Sequence, residues 1–244
     1  MNRLSKIVKL CFCITVAFMM VTCAQGQSVD DIISKHIAAV GGKKKLKKIN
    51  SLVMTVTTQI EGSNMKSVIT ILDGKGFLSE ADFNGQKIIE CVTDESGWSI
   101  NPMAGQTKAA SMTESQYQSR KQQIYINPFL DYAARGDKAE LMGTEDAGSG
   151  SIYKIKLTTS DNAETIYLID ASTYYIANTI ITGDINGQPT LITSSLSDYR
   201  ETDFGNISPY TVKVSIGDYF TLTSHVTQVE TNTTVDPAIF DRPE

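Results

Sequence analysis

Histidines are few in this sequence, and its many carboxylates include no pair that the sequence alone marks as a general acid or base. His36 and His225 are its only histidines, and neither has a partner at the spacing of a metal-binding or catalytic motif. Gly148-Ser149-Gly150 lacks the second half of a nucleophile elbow, and residues 184–187 lack the downstream glutamate of a calcium loop. We interpret both stretches as turns. We therefore expect a non-enzymatic protein with no catalytic residue, no metal site and no cofactor.

Five lysines lie between Lys43 and Lys48 and form a basic cluster on an otherwise acidic chain. Such a cluster can bind an anionic head group or an acidic partner. Lysines near a helix end also stabilise the helix dipole while their amines stay in solvent. Both interpretations remain open at this point.

The other residues that could build a site are apolar, and the chemistry they offer is the burial of hydrocarbon. Alternation along the predicted elements gives a candidate set that we predict to line a ligand cavity. Its members are Leu52, Met54, Val56, Ile69, Phe83, Trp98, Tyr117 and Phe129. Trp98, the only tryptophan, ends a strand beside an irregular loop and could equally be part of the core. Periodicity does not separate a cavity wall from a core.

Residues 1–26 have the pattern of a secretory signal peptide. Three basic residues precede the apolar residues 10–21, a run too short to span a bilayer as a helix, and Ala24-Gln25-Gly26 supplies small residues for cleavage. We expect cleavage after Gly26 and a mature periplasmic chain of residues 27–244. Because Cys23 follows a weak lipoprotein box, lipid anchoring at Cys23 is the alternative.

Removal of this segment leaves an acidic chain with one cysteine. Three of the 22 lysines and arginines are lost while all 27 acidic residues remain, so the mature net charge is 19 − 27 = −8. This charge disfavours nucleic acid as a partner. Cys91 has no second cysteine for an internal disulfide, and its apolar strand context predicts a buried thiol.

The mature chain begins as a helix and continues as antiparallel strands. Ser28 and Asp31 form a capping box, and Gly41-Gly42 ends the helix. From Ser51 the apolar period is two, and turn signals such as Asn84-Gly85 predict consecutive hairpins. A second capping box at Thr113 begins a helix that should run to about Tyr125.

A second short helix is predicted after Pro128, and strands resume near Ala139. About eleven strands with a helical interruption predict an α+β, mainly β protein whose antiparallel sheet curls and is covered by the central helices. Such an arrangement can enclose an apolar cavity. We expect one domain over residues 27–244.

Several segments together resemble the outer-membrane lipoprotein-sorting proteins that are common in Bacteroidetes. They are residues 36–49, 97–105, 127–132, 138–143, 197–201 and 236–240. The resemblance covers essentially the whole mature chain. It implies a fold like the lipoprotein carrier LolA and its receptor, an unclosed β-barrel with a helical lid and a hydrophobic cavity for acyl chains. No site residue is transferred, because the residues that control acyl-chain release in that carrier have no match here.

Two functions are therefore expected as alternatives. The first is a periplasmic carrier-like protein that holds acyl chains of a lipid or lipoprotein in a hydrophobic cavity without catalysing a reaction. The second is an extracytoplasmic sensor or protein-interaction module of the same fold that recognises envelope proteins. In either case we expect a monomer whose contact with the membrane is peripheral.

Overall fold

The computed structural model describes residues 27–60, 63–146, 148, 150–185, 188–218 and 220–243. The predicted signal peptide, its cleavage site after Gly26 and the alternative anchor Cys23 lie outside the described residues. Within these ranges, no helix combines the length and the apolar character needed to cross a lipid bilayer.

Among the described residues, most of the regular structure belongs to one antiparallel sheet of 13 strands. The first group is β1 (Ser51–Ile60), β2 (Ser63–Leu72), β3 (Gly76–Phe83), β4 (Gln86–Thr93), β5 (Gly97–Asn101) and β6 (Gln106–Ser111). The second group is β7 (Lys138–Asp146), β8 (Ser151–Thr158), β9 (Glu164–Asp170), β10 (Ile176–Ile185), β11 (Gln188–Glu201), β12 (Ile207–Ile216) and β13 (Phe220–Thr231). Each group is a meander, and the pairing of β1 with β13 joins the two meanders at the centre of the sheet.

The α-helices are α1 (Val29–Ala39), α2 (Lys43–Leu46) and α3 (Glu114–Arg120). Both predicted capping boxes are confirmed. The Ser28 hydroxyl accepts from the Asp31 amide at 3.1 Å, and the Thr113 hydroxyl accepts from the Gln116 amide at 3.3 Å. Short 3-10 turns follow at Pro102–Ala104, Lys121–Ile124, Tyr132–Arg135 and Pro237–Phe240.

The predicted fold class is confirmed, with two differences in detail. The sheet has 13 described strands instead of about eleven; one strand that was not predicted is β6, an exposed edge strand with no alternation of apolar residues. The short helix expected after Pro128 is a turn over residues 128–131 followed by the 3-10 helix Tyr132–Arg135, which Gly136 ends as expected. The Asn127 side-chain oxygen accepts from the amides of Phe129 and Leu130 as a helix N-cap does, but Asp131 lies in the left-handed region at φ 53° and interrupts the helix after one turn.

The sheet has two faces, and neighbouring residues of β4 identify them. We call residues 114–124, which are α3 and the 3-10 turn after it, the central helical segment. Val92 packs against Tyr117 and Ile124 of this segment, and we call the face of the sheet that carries Val92 the inner face. Cys91 points the opposite way, to the outer face. The α1 side chains also pack on the inner face, against apolar residues of β8 and β9 such as Ile155.

The sheet curls around α3. Tyr117 donates a hydrogen bond to the Thr93 carbonyl at the end of β4 (3.1 Å), and α3 also contacts β10. These two strands are seven positions apart in the sheet order, which in a flat sheet would separate them by about 34 Å. A helix is only about 10–12 Å wide with its side chains. The two halves therefore face each other across α3, while β6 and β7 remain unpaired edges of the described sheet.

The C-terminal segment covers the outer face of β3 to β5. The Phe240 ring packs against Cys91 and Trp98. The Phe240 carbonyl accepts hydrogen bonds from the Trp98 indole at 2.9 Å and from the Cys91 thiol at 3.3 Å. Gly76 is needed beneath this ring, because an added Cβ would lie 2.7 Å from it.

His36 is buried in the core between α1 and the sheet. Its Nδ1 lies 2.8 Å from the Tyr174 carbonyl oxygen, which only accepts, so we assign the ring proton to Nδ1. Its Nε2 is buried with no hydrogen-bond partner among the described residues, and the ring meets Phe129 edge-on at 5.5 Å. Burial lowers the pKa of His36 below its ordinary value of 6.5, against the opposing effect of the hydrogen bond to Tyr174. The folded protein therefore holds His36 neutral.

We expect His36 to make the protein less stable in mild acid. Below about pH 6.5 the unfolded chain takes up a proton on His36 that the folded chain resists, so the free energy of unfolding falls by up to about 1.4 kcal/mol per pH unit. His36→Asn keeps a donor for the Tyr174 carbonyl but does not titrate, and its slope in urea unfolding between pH 7 and 5 should be smaller. His225→Asn, on an exposed ring, is the control. Equal slopes for His36→Asn and the wild type would contradict this role.

Candidate functional site

The strands at the centre of the sheet carry aliphatic side chains on the inner face. Leu52 of β1 stands opposite Ile71, and the same row continues to Phe77 and to Val92, which defines the inner face. Two residues further along β1, Met54 stands opposite Ile69 of β2 and Val229 of β13. These three side chains are only partly buried.

The second half of the sheet continues this apolar surface. Ile181, Ile192, Ile216 and Phe220 stand in register across four consecutive strands, β10 to β13. All four lie on the inner face by alternation from Val226, which stands opposite Val56. Phe220, at the end of the row, is 51% exposed.

We call these partly exposed side chains together the inner aliphatic surface. It comprises Met54, Ile69, Ile181, Ile192, Val214, Ile216, Leu222, Val226 and Val229, with Phe220 at its edge. Single exposed apolar residues are normal, whereas a contiguous set in register is typical of a binding surface. The surface can bury hydrocarbon.

The structure brings four of the predicted cavity residues together. Leu52, Met54 and Val56 follow one another on the inner face of β1, and Ile69 stands opposite Met54. Leu52 and Val56 are 7% and 5% exposed and belong to the core, while Met54 and Ile69 are only partly buried.

The other four predicted residues lie elsewhere. Phe83 shares the inner face but ends β3 beside the turn to β4. Tyr117 covers Val92 from α3. Phe129 is 2% exposed in the core beside α1, and Trp98 lies on the outer face under the C-terminal segment. The structure thus separates Phe129 and Trp98 from the β1–β2 group.

Sequence reasoning did not select the part of the inner aliphatic surface that belongs to β10 to β13. The signal was present as alternation, since Leu222 and Val226 recur at even spacing in β13. Alternation gives two faces without saying which one the helices cover. The register between strands, which identifies the face, is a tertiary feature.

Charged side chains fix the central helical segment to both halves of the sheet. Arg120 of α3 pairs with Glu90 on the inner face of β4 at 3.1 Å. The next residue, Lys121, pairs with Asp161 in the turn between β8 and β9. Burial raises the pKa of Asp161, but hydrogen bonds from Lys121 and Thr159 outweigh it and hold that pKa below its usual value. The central helical segment therefore connects the two halves of the curled sheet next to the inner aliphatic surface.

The helical segment also presents polar atoms without partners. The side-chain carbonyl oxygens of Gln118 and Gln122 are buried and accept no hydrogen bond from the described residues. Within the described ranges, no three histidine, cysteine, aspartate or glutamate side chains lie close enough to hold a metal ion. The arrangement as a whole offers apolar burial next to a few polar acceptors.

No protein-family model matches the sequence, and no curated protein matches it either. Solved structures do match. A domain from Vibrio parahaemolyticus described as an outer membrane lipoprotein-sorting protein domain has a TM-score of 0.56 at 10% identity, over 86% of this chain and 95% of its own. A LolA superfamily protein from Nitrosomonas europaea has a TM-score of 0.55 at 10% identity, over 84% of this chain and 96% of its own.

The chain has a LolA-like fold. A DUF1329 family protein from Desulfovibrio piger is similar as well, with a TM-score of 0.51 at 9% identity over 88% of this chain and 98% of its own. The LolA-like fold expected from the sequence resemblance is thereby confirmed. At these identities the comparisons bear on the fold, so the roles of individual residues rest on the geometry described above.

Proposed function

We propose that this protein is a periplasmic carrier-like protein that binds acyl chains of a lipid or lipoprotein on its inner aliphatic surface, without catalysing a reaction. The observation that carries the proposal is that surface itself. Its side chains stand in register over strands β10 to β13, β1 and β2, inside a sheet that curls around α3. They are left partly exposed, which is unfavourable until an apolar ligand covers them.

The expected affinity is useful for a carrier. Burial of about 15 methylene groups contributes about 12 kcal/mol at about 0.8 kcal/mol each. Loss of ligand freedom costs at least about 4 kcal/mol. The remainder, at most about 8 kcal/mol, corresponds to a dissociation constant of about 1 μM or weaker. An affinity in this range binds a single acyl chain and still allows its release.

Two further observations support the proposal. The LolA-like fold is shared with a domain described as an outer membrane lipoprotein-sorting protein domain. The N-terminal 26 residues have the pattern of a signal peptide, which would deliver the chain to the periplasm. Acyl-bearing lipids and lipoproteins are the apolar ligands of that compartment, and we propose them as the partner class.

A lysine placed on the inner aliphatic surface should weaken binding, and adjacent residues of β2 give a matched pair. Ile69 lies on the inner face, whereas Val68 points outward and is 40% exposed. We expect Ile69→Lys to raise the dissociation constant for a fluorescent fatty acid at least tenfold, because an ammonium group cannot be buried against hydrocarbon. Val68→Lys should bind like the wild type. Equal uptake by both variants would refute the inner surface as the site.

Native mass spectrometry of protein purified without detergent tests the function itself. Extra mass that organic solvent removes as an acyl lipid would support the carrier proposal and identify the class of cargo. A mass without ligand, combined with no fatty-acid uptake by the wild type, would instead favour the sensor or interaction module of the same fold.

A further inference from the structure

The basic cluster surrounds an open depression of about 530 Å³ at the end of the sheet where β1 begins. Its lining is Gly41, Gly42, Lys43, Lys44, Lys45, Lys48 and Phe204. The depression is open at Gly42, where an added Cβ would meet nothing within 4 Å. The half-buried Phe204 ring and the lysine methylenes make the lining apolar, while the ammonium groups stand around it.

Three of the five lysines of the cluster are already engaged. Lys43 and Lys47 both pair with Asp131, at 2.9 and 2.6 Å. Hydrogen bonds from Lys47 and Lys43 hold the pKa of Asp131 below its usual value, so Asp131 stays charged. Each of its two carboxylate oxygens pairs with one of these lysines. The Lys45 amine donates to the Gly205 carbonyl.

Lys44 and Lys48 are the two lysines that remain. Both are exposed, both line the depression, and neither forms an ion pair or side-chain hydrogen bond with any described residue. Asp203, the nearest acidic residue along the chain to Phe204, keeps its negative charge, but both of its carboxylate oxygens accept from Thr231 of β13, so it forms no ion pair with these lysines among the described residues. The depression therefore holds two ammonium groups that pair with no described side chain, beside an apolar floor.

The cluster contrasts with the rest of the molecule. The whole chain has 22 lysines and arginines against 27 acidic residues, so without these five lysines the balance is 17 − 27 = −10. A positive end on a negative body orients the protein in the field of an anionic surface. That surface attracts the lysine end and repels the rest.

We propose that the basic depression docks this protein on the surface of a bilayer that carries anionic phospholipids. Lipid phosphates contact Lys44 and Lys48, and Phe204 with the lysine methylenes meets the layer below the head groups. A bilayer fits better than an acidic protein because the two free ammonium groups sit on flexible chains with no partner fixing their positions. The proposal does not depend on acyl binding, since none of these residues belongs to the inner aliphatic surface.

The test is flotation of the purified protein with vesicles of phosphatidylcholine, with and without phosphatidylglycerol. A lysine near an anionic leaflet contributes about a fivefold gain in partitioning. Lys44→Gln with Lys48→Gln should therefore lower partitioning into anionic vesicles about 25-fold. Lys87→Gln with Lys213→Gln removes the same charge from exposed positions elsewhere and should leave partitioning within about twofold. Fatty-acid uptake should be equal in all these proteins, which separates this test from that of the proposed function.

Selective loss in the Lys44 and Lys48 double variant, with no binding of the wild type to pure phosphatidylcholine, would establish the docking surface. Equal binding by both double variants would overturn it. If the wild-type protein does not bind anionic vesicles but is retained by polyglutamate, the docking proposal is overturned in favour of an acidic protein partner. Displacement from vesicles by inorganic phosphate, beyond the effect of sulfate at equal ionic strength, would overturn it in favour of a soluble phosphate ligand.

Discussion

Phe129→Ala lowers the free energy of unfolding by about 3–5 kcal/mol, the usual cost of deleting a fully buried phenyl ring. The ring is 2% exposed and fills the space between the N-terminal helix and the sheet. Its centroid lies 4.7 Å from the Tyr167 ring and 5.5 Å from the His36 ring. Because these neighbours belong to α1 and β9, the cavity left by the substitution cannot close without moving a whole element.

Urea unfolding measures this loss, and Phe83→Ala is the matched control. Phe83 loses the same atoms from a partly exposed position at the end of β3, so its cost should be below about 2 kcal/mol. Fatty-acid binding by folded Phe129→Ala protein should be unchanged. A small stability loss combined with weaker fatty-acid binding would contradict the core role and would support the prediction that Phe129 lines the ligand cavity.

Phe240→Ala makes the Cys91 thiol reactive. In the intact protein Cys91 is fully buried, and burial raises its pKa from 9.0 to about 12. Thiol reagents attack the thiolate, so a return to the ordinary pKa increases the reactive fraction near pH 8 about a thousandfold. Loss of the Phe240 ring removes the cover over the outer face of β3 to β5 and admits both water and reagent.

The rate of labelling by an aromatic disulfide reagent measures this change. Ile239→Ala, at the preceding and 39% exposed residue, should label as slowly as the wild type. Gly76→Val should label as fast as Phe240→Ala, because its side chain displaces the ring from below. Slow labelling of both Phe240→Ala and Gly76→Val would show that Cys91 is protected by the sheet and not by the C-terminal segment.

Local features of the fold could be predicted from the sequence, and features set by tertiary contacts could not. The capping boxes at Ser28 and Thr113 each depend on residues three positions apart, so they were readable. The burial of Cys91 was predicted from its apolar strand and is confirmed. β6 escaped prediction because an exposed edge strand needs no apolar alternation.

The candidate site was only partly predictable for a physical reason. Alternation shows that Cys91 and Val92 lie on opposite faces, but not that the C-terminal segment covers one and α3 the other. Trp98 shares the Cys91 face through the register of β4 with β5, and therefore lies away from Met54 and Ile69. The engagement of the lysine cluster likewise depends on Asp131, more than 80 positions away in sequence.

The central position of β1 has a consequence for how the chain is made. β2 to β6 can add to β1 one hairpin at a time, but the other edge of β1 waits for β13, as in the Thr58–Ser224 side-chain hydrogen bond that spans 166 positions. During synthesis the backbone groups along that edge stay unpaired until β13 has emerged, and closure of so long a loop is slow. The sheet is thus completed at its middle and not at its rim. A chain that lacks β13 exposes the unpaired edges of β1 and β12, which can aggregate with other chains. Binding by a chaperone until β13 has paired would prevent this aggregation.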